Sequence, residues 1–403
     1  MAFRIYCGAL VTDGRRYERR ALVIDKGRIV AWEPYEPDSF TQTAPPDVDA
    51  RSYLALPGMI DLHIHGGFGR DMMEGTPEAI QAIARRLTQH GVTAFLATPL
   101  TAPWEAIRNC IHAAREVRTH GSEGARVLGC HLEGPFINPK RAGAQPPEYI
   151  RSPSVRELET ELGDLISELR IVTLAPEMEG GLELTQYLTE QGIIVSIGHS
   201  DATYEQAVQA IERGARHATH TFNAMRPFQH RDPGLAGAVM LHDELNAEII
   251  WDHVHTHPAA AHLLVKAKGT ERVICVSDGT TGVGMPDGYT FELWGHRAVV
   301  QNRAARMVET GGLAGSTIAM DACLRHCAES LGLEAASLLC AANPARTLGY
   351  KGELGTLRPG ARADIILWNP HTQQIEYTFV DGILQKSESN TAGEPIPVAN
   401  PNK

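Results

Sequence analysis

Six residues able to bind a metal ion or move a proton stand where short apolar runs of this sequence end. His63 and His65 sit two apart at the end of the run 59–64, so on an extended strand both side chains point to one face. Glu133 follows the run 127–132, His199 the run 193–197, His220 the short run 217–219, and Asp278 the run 273–277. Imidazole nitrogen and carboxylate oxygen suit Zn²⁺ or Fe²⁺, and the absence of cysteine from the set argues against a structural thiolate site. A single histidine, or one His-x-His pair, is ordinarily a hydrogen-bonded core or loop residue. The joint placement at the ends of five runs is what points to a metal centre.

Glycine accompanies these residues at Gly66-Gly67, Gly134, Gly198 and Gly279, as expected where backbone approaches a site closely. Gly234-Leu235-Ala236-Gly237 and the run from Gly311 to Ser316, the second expected at a helix start, can offer main-chain amides to a ligand, although such runs are more often plain turns. Lys140-Arg141 and the loop from Arg226 to Asp232 bring cations to the same end, either as solvated loop charge or as anion ligands.

The elements that must position this set alternate. Apolar strands are expected over 59–64, 93–96, 127–132, 171–174, 193–197, 247–250 and 273–276, with the short run at 217–219 between 193–197 and 247–250. Helical patterns follow at 77–90, 104–117, within 155–169, and at 182–191, 204–214 and 259–266. Continuous apolar strands alternating with amphipathic helices indicate parallel β buried under helices. Seven or eight such strands suit a closed (β/α)₈ barrel, in which strand ends share one face. Residues 289–308 break the rhythm with strand-like runs around Trp294-Gly295, read as a hairpin inserted before the last barrel helix.

Both chain ends read as β: 3–7, 21–24 and 28–32 at the start, with a turn at Asp25-Lys26-Gly27 and a loop at 41–47, then 364–368, 375–380 and 382–385. Residues 57–353 are therefore expected to form an α/β unit, the barrel. Residues 1–56 and 354–403 are expected to form a small β-sandwich domain built from both termini, its polar tail from about residue 387 loose.

Composition limits the function classes. A formal charge of −11 leaves no basic surplus for nucleic acid or an anionic membrane surface, while one or two local cations still suffice for a small phosphorylated substrate. No apolar run reaches the length of a membrane span, and the first residues lack the apolar core of a signal peptide. Seven cysteines without a CxxC pair argue against a disulfide framework, and Cys323 and Cys327 read as buried free thiols. The expected setting is reducing and cytoplasmic.

Several segments together resemble a known family. Pro57-Gly58-Met59-Ile60-Asp61-Leu62-His63-Ile64-His65-Gly66 resembles the first-strand motif of the amidohydrolase superfamily. His131-Leu132-Glu133-Gly134-Pro135-Phe136, Gly198-His199-Ser200-Asp201-Ala202-Thr203, Thr219-His220-Thr221-Phe222-Asn223-Ala224-Met225, Asp232-Pro233-Gly234-Leu235-Ala236-Gly237 and Leu313-Ala314-Gly315-Ser316 are similar to its N-acetylglucosamine-6-phosphate deacetylase family. The resemblance runs in consistent order from about Leu22 to Leu367. It implies a barrel-plus-sandwich homodimer that hydrolyses the acetamide of a sugar phosphate, with one or two divalent ions per subunit. It also implies Glu133, His199 and His220 as principal metal ligands, and His63 and His65 as the position that holds histidines in members able to bind a second metal. Asp278 matches the catalytic aspartate. Asn223, Ala224, Arg231, His255, Leu313, Ala314 and Gly315 match substrate-binding positions, as does Ala144 in the loop after the glutamate. Arg231 and His255 are candidates to reach phosphate across a dimer interface.

Three departures stand out. Gln145 occupies a place where some members carry histidine, Trp251-Asp252-His253 is bulkier than the family pattern, and Ser277-Asp278-Gly279-Thr280 differs slightly around the aspartate. The competing readings are a deacetylase of another N-acetyl sugar phosphate, such as the galactosamine epimer, and a non-catalytic sugar-phosphate sensor.

Overall fold

The apolar runs between Met59 and Val276 form eight parallel strands, each hydrogen-bonded to the next. They are β1 Met59–Ile64, β2 Val92–Ala97, β3 Arg126–Glu133, β4 Leu169–Leu174, β5 Ile194–Ile197, β6 His217–Ala218, β7 Asn246–Ile250 and β8 Val273–Val276. The structure is a computed structural model that describes residues 2–36 and 47–385. Most of the loop expected at 41–47 and the tail from 387 lie outside the described residues.

One helix follows each strand: α1 Pro77–Thr88, α2 Trp104–His120, α3 Val155–Leu162, α4 Gly181–Glu190, α5 Tyr204–Glu212, α6 Gly234–Leu241, α7 Pro258–Lys268 and α8 Met320–Leu331. The starts follow local chemistry. Thr76 accepts from the Ala79 amide ahead of Pro77, and Thr203 forms a capping box with Gln206. Helix α1 buries Ile80, Ile83, Ala84 and Leu87, the helical spacing read from sequence. The Gly234 run is thus the first turn of α6. The run at Gly311–Ser316 is not a helix start: Leu313–Ser316 is a strand paired antiparallel with Ala304–Met307, and α8 begins only at Met320. With Thr290–Leu293 and His296–Gln301 it forms a four-stranded insertion where a hairpin was expected.

The barrel closes between β1 and β8 without a regular ladder. Just beyond β8 the Asp278 amide donates to the His63 carbonyl at 2.9 Å, and the His65 and Gly66 amides donate to the Gly279 carbonyl at 2.8 and 3.0 Å. Deeper in the seam the fully buried Asp61 carboxylate accepts from the Ser277 hydroxyl at 2.5 Å and the Ser277 amide at 3.2 Å. The inserted sheet is tied to the same place, because the Ser316 amide donates to the Asp278 carbonyl at 2.8 Å.

Both chain ends enter one seven-stranded sheet, in the order Ile383–Leu384, Gln374–Val380, Ile365–Asn369, Val48–Pro57, Phe3–Thr12, Arg15–Asp25, Arg28–Pro34. One face has its own apolar core, including Ile5, Leu22, Ile24, Ile365 and Phe379, while Val11, Leu56, Ile366 and Trp368 on the other join the core shared with the barrel. Val48–Pro57 went unread in the sequence because Asp49, Arg51 and Ser52 interrupt its apolar positions. All seven cysteines are buried free thiols.

Burial pushes the Asp61 carboxyl up to about 6 from an ordinary 3.8, while the Ser277 and His63 donors pull the other way. The protonated form therefore favours the folded chain: that contribution is complete below the ordinary value and is lost as pH rises through about 6. Ser277→Ala withdraws a donor from the ionised form. In chelator-treated protein it should cost about 1–3 kcal/mol by urea unfolding at pH 8, and clearly less at pH 5. Equal losses would mean that the hydroxyl acts through its contact with the Gly279 amide instead.

Candidate active site

The side chains carried by the barrel strand ends meet at one buried carboxylate. Oε1 of Glu133 lies 3.1 Å from His199 Nε2, 3.0 Å from His220 Nε2 and 3.4 Å from His63 Nε2, while its Oε2 lies 3.4 Å from His65 Nε2. The Nε2 atoms of His199 and His220 are 3.1 Å apart, and those of His63 and His65 are 3.2 Å apart. Asp278 completes the group, its Oδ1 at 3.4 Å from His63 and 3.3 Å from His65. All six are buried.

Backbone conformation explains how strand ends deliver them. His199, His220 and Asp278 have φ of 46°, 28° and 48°, in the left-handed region that non-glycine residues seldom adopt. Each kink turns its side chain inward as the chain leaves the barrel. Gly134, with φ 89°, has no room for more: a Cβ there would stand 2.2 Å from Thr101 Oγ1.

Hydrogen bonds orient the rings. His65 Nδ1 donates to the Thr98 carbonyl at 2.9 Å and His199 Nδ1 to the Arg141 carbonyl at 2.8 Å, so each ring turns its Nε2 towards Glu133. His63 Nδ1 donates to Glu248 Oε2 at 3.0 Å. Burial would lower His63 and raise Glu133, but their mutual attraction overrides it. Glu133, Glu248 and Asp278 carry the His63 imidazole well above its usual value, and the imidazoles hold Glu133 well below the carboxylate range. His65 also resists the effect of burial and rises to about 9 through Asp278 and Glu133. This pocket of anionic oxygen and imidazole nitrogen favours positive charge. His199, His220 and Glu133 converge as a three-donor set, and His63 and His65 form a second set around the same glutamate, so the residues fit a divalent metal ion. His63, His131 and Glu248 are also close, but His131 donates to the Leu62 carbonyl and accepts from Thr173 Oγ1 at 2.7 Å, which makes it a structural residue.

Above the cluster opens a cavity of about 220 Å³. Of the substrate-binding positions expected, Ala144, Asn223, Ala224, His255, Leu313 and Gly315 line it. Ala314 does not: it packs into the core of the inserted sheet. Arg231 is exposed and also outside the lining, which contains no lysine or arginine. Two other loop cations are engaged elsewhere, Arg141 with Asp201 at 2.7 Å and Arg226 with Asp232 at 2.5 Å. Trp251 is fully buried and outside the lining, so its bulk does not narrow the pocket. Gln145 Nε2 donates to Glu133 Oε2 at 2.8 Å and its Oε1 accepts from the Thr101 amide, which makes it a brace for the glutamate. His255 Nδ1 donates to Asp252 at 2.6 Å; burial would lower this imidazole, but Asp252 raises it.

The pattern that defines the amidohydrolase family matches residues 54–387. The chain belongs to the amidohydrolase family. Among amidohydrolases it is 38% identical over 370 residues to the N-acetylglucosamine-6-phosphate deacetylase of Bacillus subtilis (strain 168), covering 89% of this chain and 91% of that one. It is 37% identical over 370 residues to the N-acetylgalactosamine-6-phosphate deacetylase of Escherichia coli O157:H7, covering 91% and 95%. An aspartate-to-alanine mutant of the Mycobacterium smegmatis N-acetyl-D-glucosamine-6-phosphate deacetylase, solved in complex with N-acetyl-D-glucosamine-6-phosphate, superposes with a TM-score of 0.87 at 30% identity, over 96% of this chain and 99% of that one. No helix of the described residues is long and apolar enough to cross a membrane.

Sequence reasoning missed Glu248. It is fully buried inside β7 and accepts from His63, from His217 Nε2 at 3.0 Å and from the His220 amide at 3.1 Å. The available signal was a charged residue in an otherwise apolar run. Glu248→Leu strands two imidazoles without their acceptor and should cost about 3–5 kcal/mol in urea unfolding of chelator-treated protein. Glu248→Gln, which keeps one acceptor oxygen, should cost less. Wild-type stability in Glu248→Leu would show that the carboxylate holds nothing in place.

Proposed function

We propose that this chain hydrolyses N-acetyl-D-glucosamine 6-phosphate to D-glucosamine 6-phosphate and acetate. The observation that carries the proposal is the convergence of His65, Glu133, His199, His220 and Asp278 on one cavity at the barrel mouth, with His63 fully buried against them. The deacetylase names of its relatives give that site its substrate class.

Glu133, His199 and His220 would hold Zn²⁺ or Fe²⁺, and His63 and His65 would share Glu133 with a second ion. Such an ion would supply a water of lowered pKa and polarisation of the amide carbonyl. Imidazoles around it keep Asp278 ionised despite burial, so its carboxylate can take the proton from water and pass it to the departing amine nitrogen. Asn223 and His255 orient the sugar phosphate, and orientation itself contributes to the rate. With no arginine or lysine in the lining, Arg231 is assigned to the phosphate from a second copy of the chain in a homodimer. Residues 57–353 are taken as the catalytic unit, and 1–56 with 354–403 as a second unit built from both termini around the seven-stranded sheet. The working compartment is taken to be the cytoplasm.

The galactosamine epimer is the second reading, favoured by a relative of that name at nearly the same identity. Acetate release from both epimers, with and without the 6-phosphate, tests the two together. The metal-loaded chain should act on the phosphorylated glucosamine derivative first, and silence on every substrate would overturn the proposal. In the same assay Arg231→Ala should lower kcat/KM for the phosphorylated substrate roughly ten- to a hundredfold, the equivalent of a charge-assisted bond. Activity on the unphosphorylated sugar should hold. Equal losses would assign Arg231 a structural part.

Asp278→Asn keeps shape and removes basicity. It should lose roughly a hundredfold or more in kcat while retaining metal, with both measured in one preparation. Near-normal turnover by a metal-loaded variant would remove Asp278 from the reaction. Metal lost along with activity would make it a ligand.

A further inference from the structure

The inserted sheet after β8 makes a two-residue turn at Trp294-Gly295, with Leu293 paired to His296 across it. Both turn residues are left-handed, with φ 54° and 88°. Turns of this kind favour asparagine, aspartate or glycine in the first position, and a bulky aromatic side chain there is strained. Strain held at a loop tip calls for a compensating role. A hydrogen bond does not supply one, since the buried indole N–H has no acceptor among the described residues.

The ring's position does. Trp294 stands edge-on to His65, with ring centroids 5.2 Å apart and planes at 74°, and it lines the cavity. Ala144 packs against the same small core as Trp294, and Leu313, next to Ala314 of that core, also lines the cavity. Apart from Ala224 and two glycines, every other side chain of the lining is polar or charged. The cavity is therefore lopsided, with an apolar wall directly beside the metal-binding cluster.

An amide attacked at that cluster has two ends to place. The sugar carries hydroxyls and needs polar partners. The acyl methyl is bonded directly to the carbonyl carbon under attack, so it must lie within contact of the cluster, and it gains from an apolar surface. We propose that Trp294, with Ala144 and Leu313, walls an acyl pocket and sets the acyl length that the enzyme accepts. This rests on the deacetylase reading and names a specificity residue within it. One methylene too many against a closed apolar wall is worth roughly ten- to two-hundredfold in discrimination.

Trp294→Gly separates this role from a structural one, because glycine is the residue that the turn itself prefers. The turn's preference for glycine offsets part of the packing that the indole loses, and the variant should stay folded and bind as much metal per chain as wild type. The measurement is kcat/KM for the N-acetyl, N-propionyl and N-butyryl derivatives of glucosamine 6-phosphate. Wild type should favour acetyl, and Trp294→Gly should raise the propionyl-to-acetyl ratio at least about tenfold by the same scale. Leu313→Ala, on a different strand of the insertion, should relax the ratio in the same direction and serves if the glycine variant is unstable. An unchanged ratio in folded variants overturns the acyl wall while leaving the deacetylase reading intact. Release of no carboxylate from any of the three by metal-loaded wild type overturns both.

Discussion

Four imidazoles facing one buried carboxylate form the constraint on which this architecture turns. Glu133 alone in a barrel interior would be driven towards its neutral form, since an isolated buried charge is costly. With His199 and His220 on one oxygen and His65 on the other, and His63 within reach, it stays ionised. Every neighbouring arrangement serves that grouping. Left-handed kinks at His199, His220 and Asp278 aim the side chains, carbonyls of Thr98 and Arg141 orient two of the rings, and Gln145 braces the carboxylate oxygen that faces His65.

The same grouping couples the site to the closure of the barrel. Asp61, two residues before His63, and Ser277, one before Asp278, are bonded across the seam, and the amide of Asp278 reaches the carbonyl of His63. The residues that seal the eighth strand against the first are thus immediate neighbours of residues in the cluster. A barrel with this joint open would lose the register between His63, His65 and Asp278.

Much of this was legible in sequence, and the reasons are physical. Buried parallel strands are continuous apolar runs, and ligand-type residues at their ends stand out against that background. That is why β8 and the six cluster residues stand out in the sequence itself. Glu248 was hidden by the same logic, because one carboxylate inside the run Asn246–Ile250 does not disturb its apolar character, and its partners lie on other strands. Arg231 matched a family position, yet only the fold shows that it stands outside the cavity lining of its own chain. Trp294 was visible as part of a turn; that the turn overhangs His65 depends on how the insertion is sewn to Ser316 and Asp278, which no local pattern encodes.

The terminal sheet has a consequence for how the chain is made. Val48–Pro57 pairs on one side with Phe3–Thr12 and on the other with Ile365–Asn369, which is synthesised only after the entire barrel. At about 5–20 residues per second, tens of seconds separate the two partners. Through that interval the nascent chain carries a β-edge whose mate has not left the ribosome. The barrel's first strand is joined to that edge by Gly58 alone. Such an edge is open to adventitious pairing, so the yield of this protein in a cell depends on how well the waiting strand is shielded until the last stretch of chain arrives.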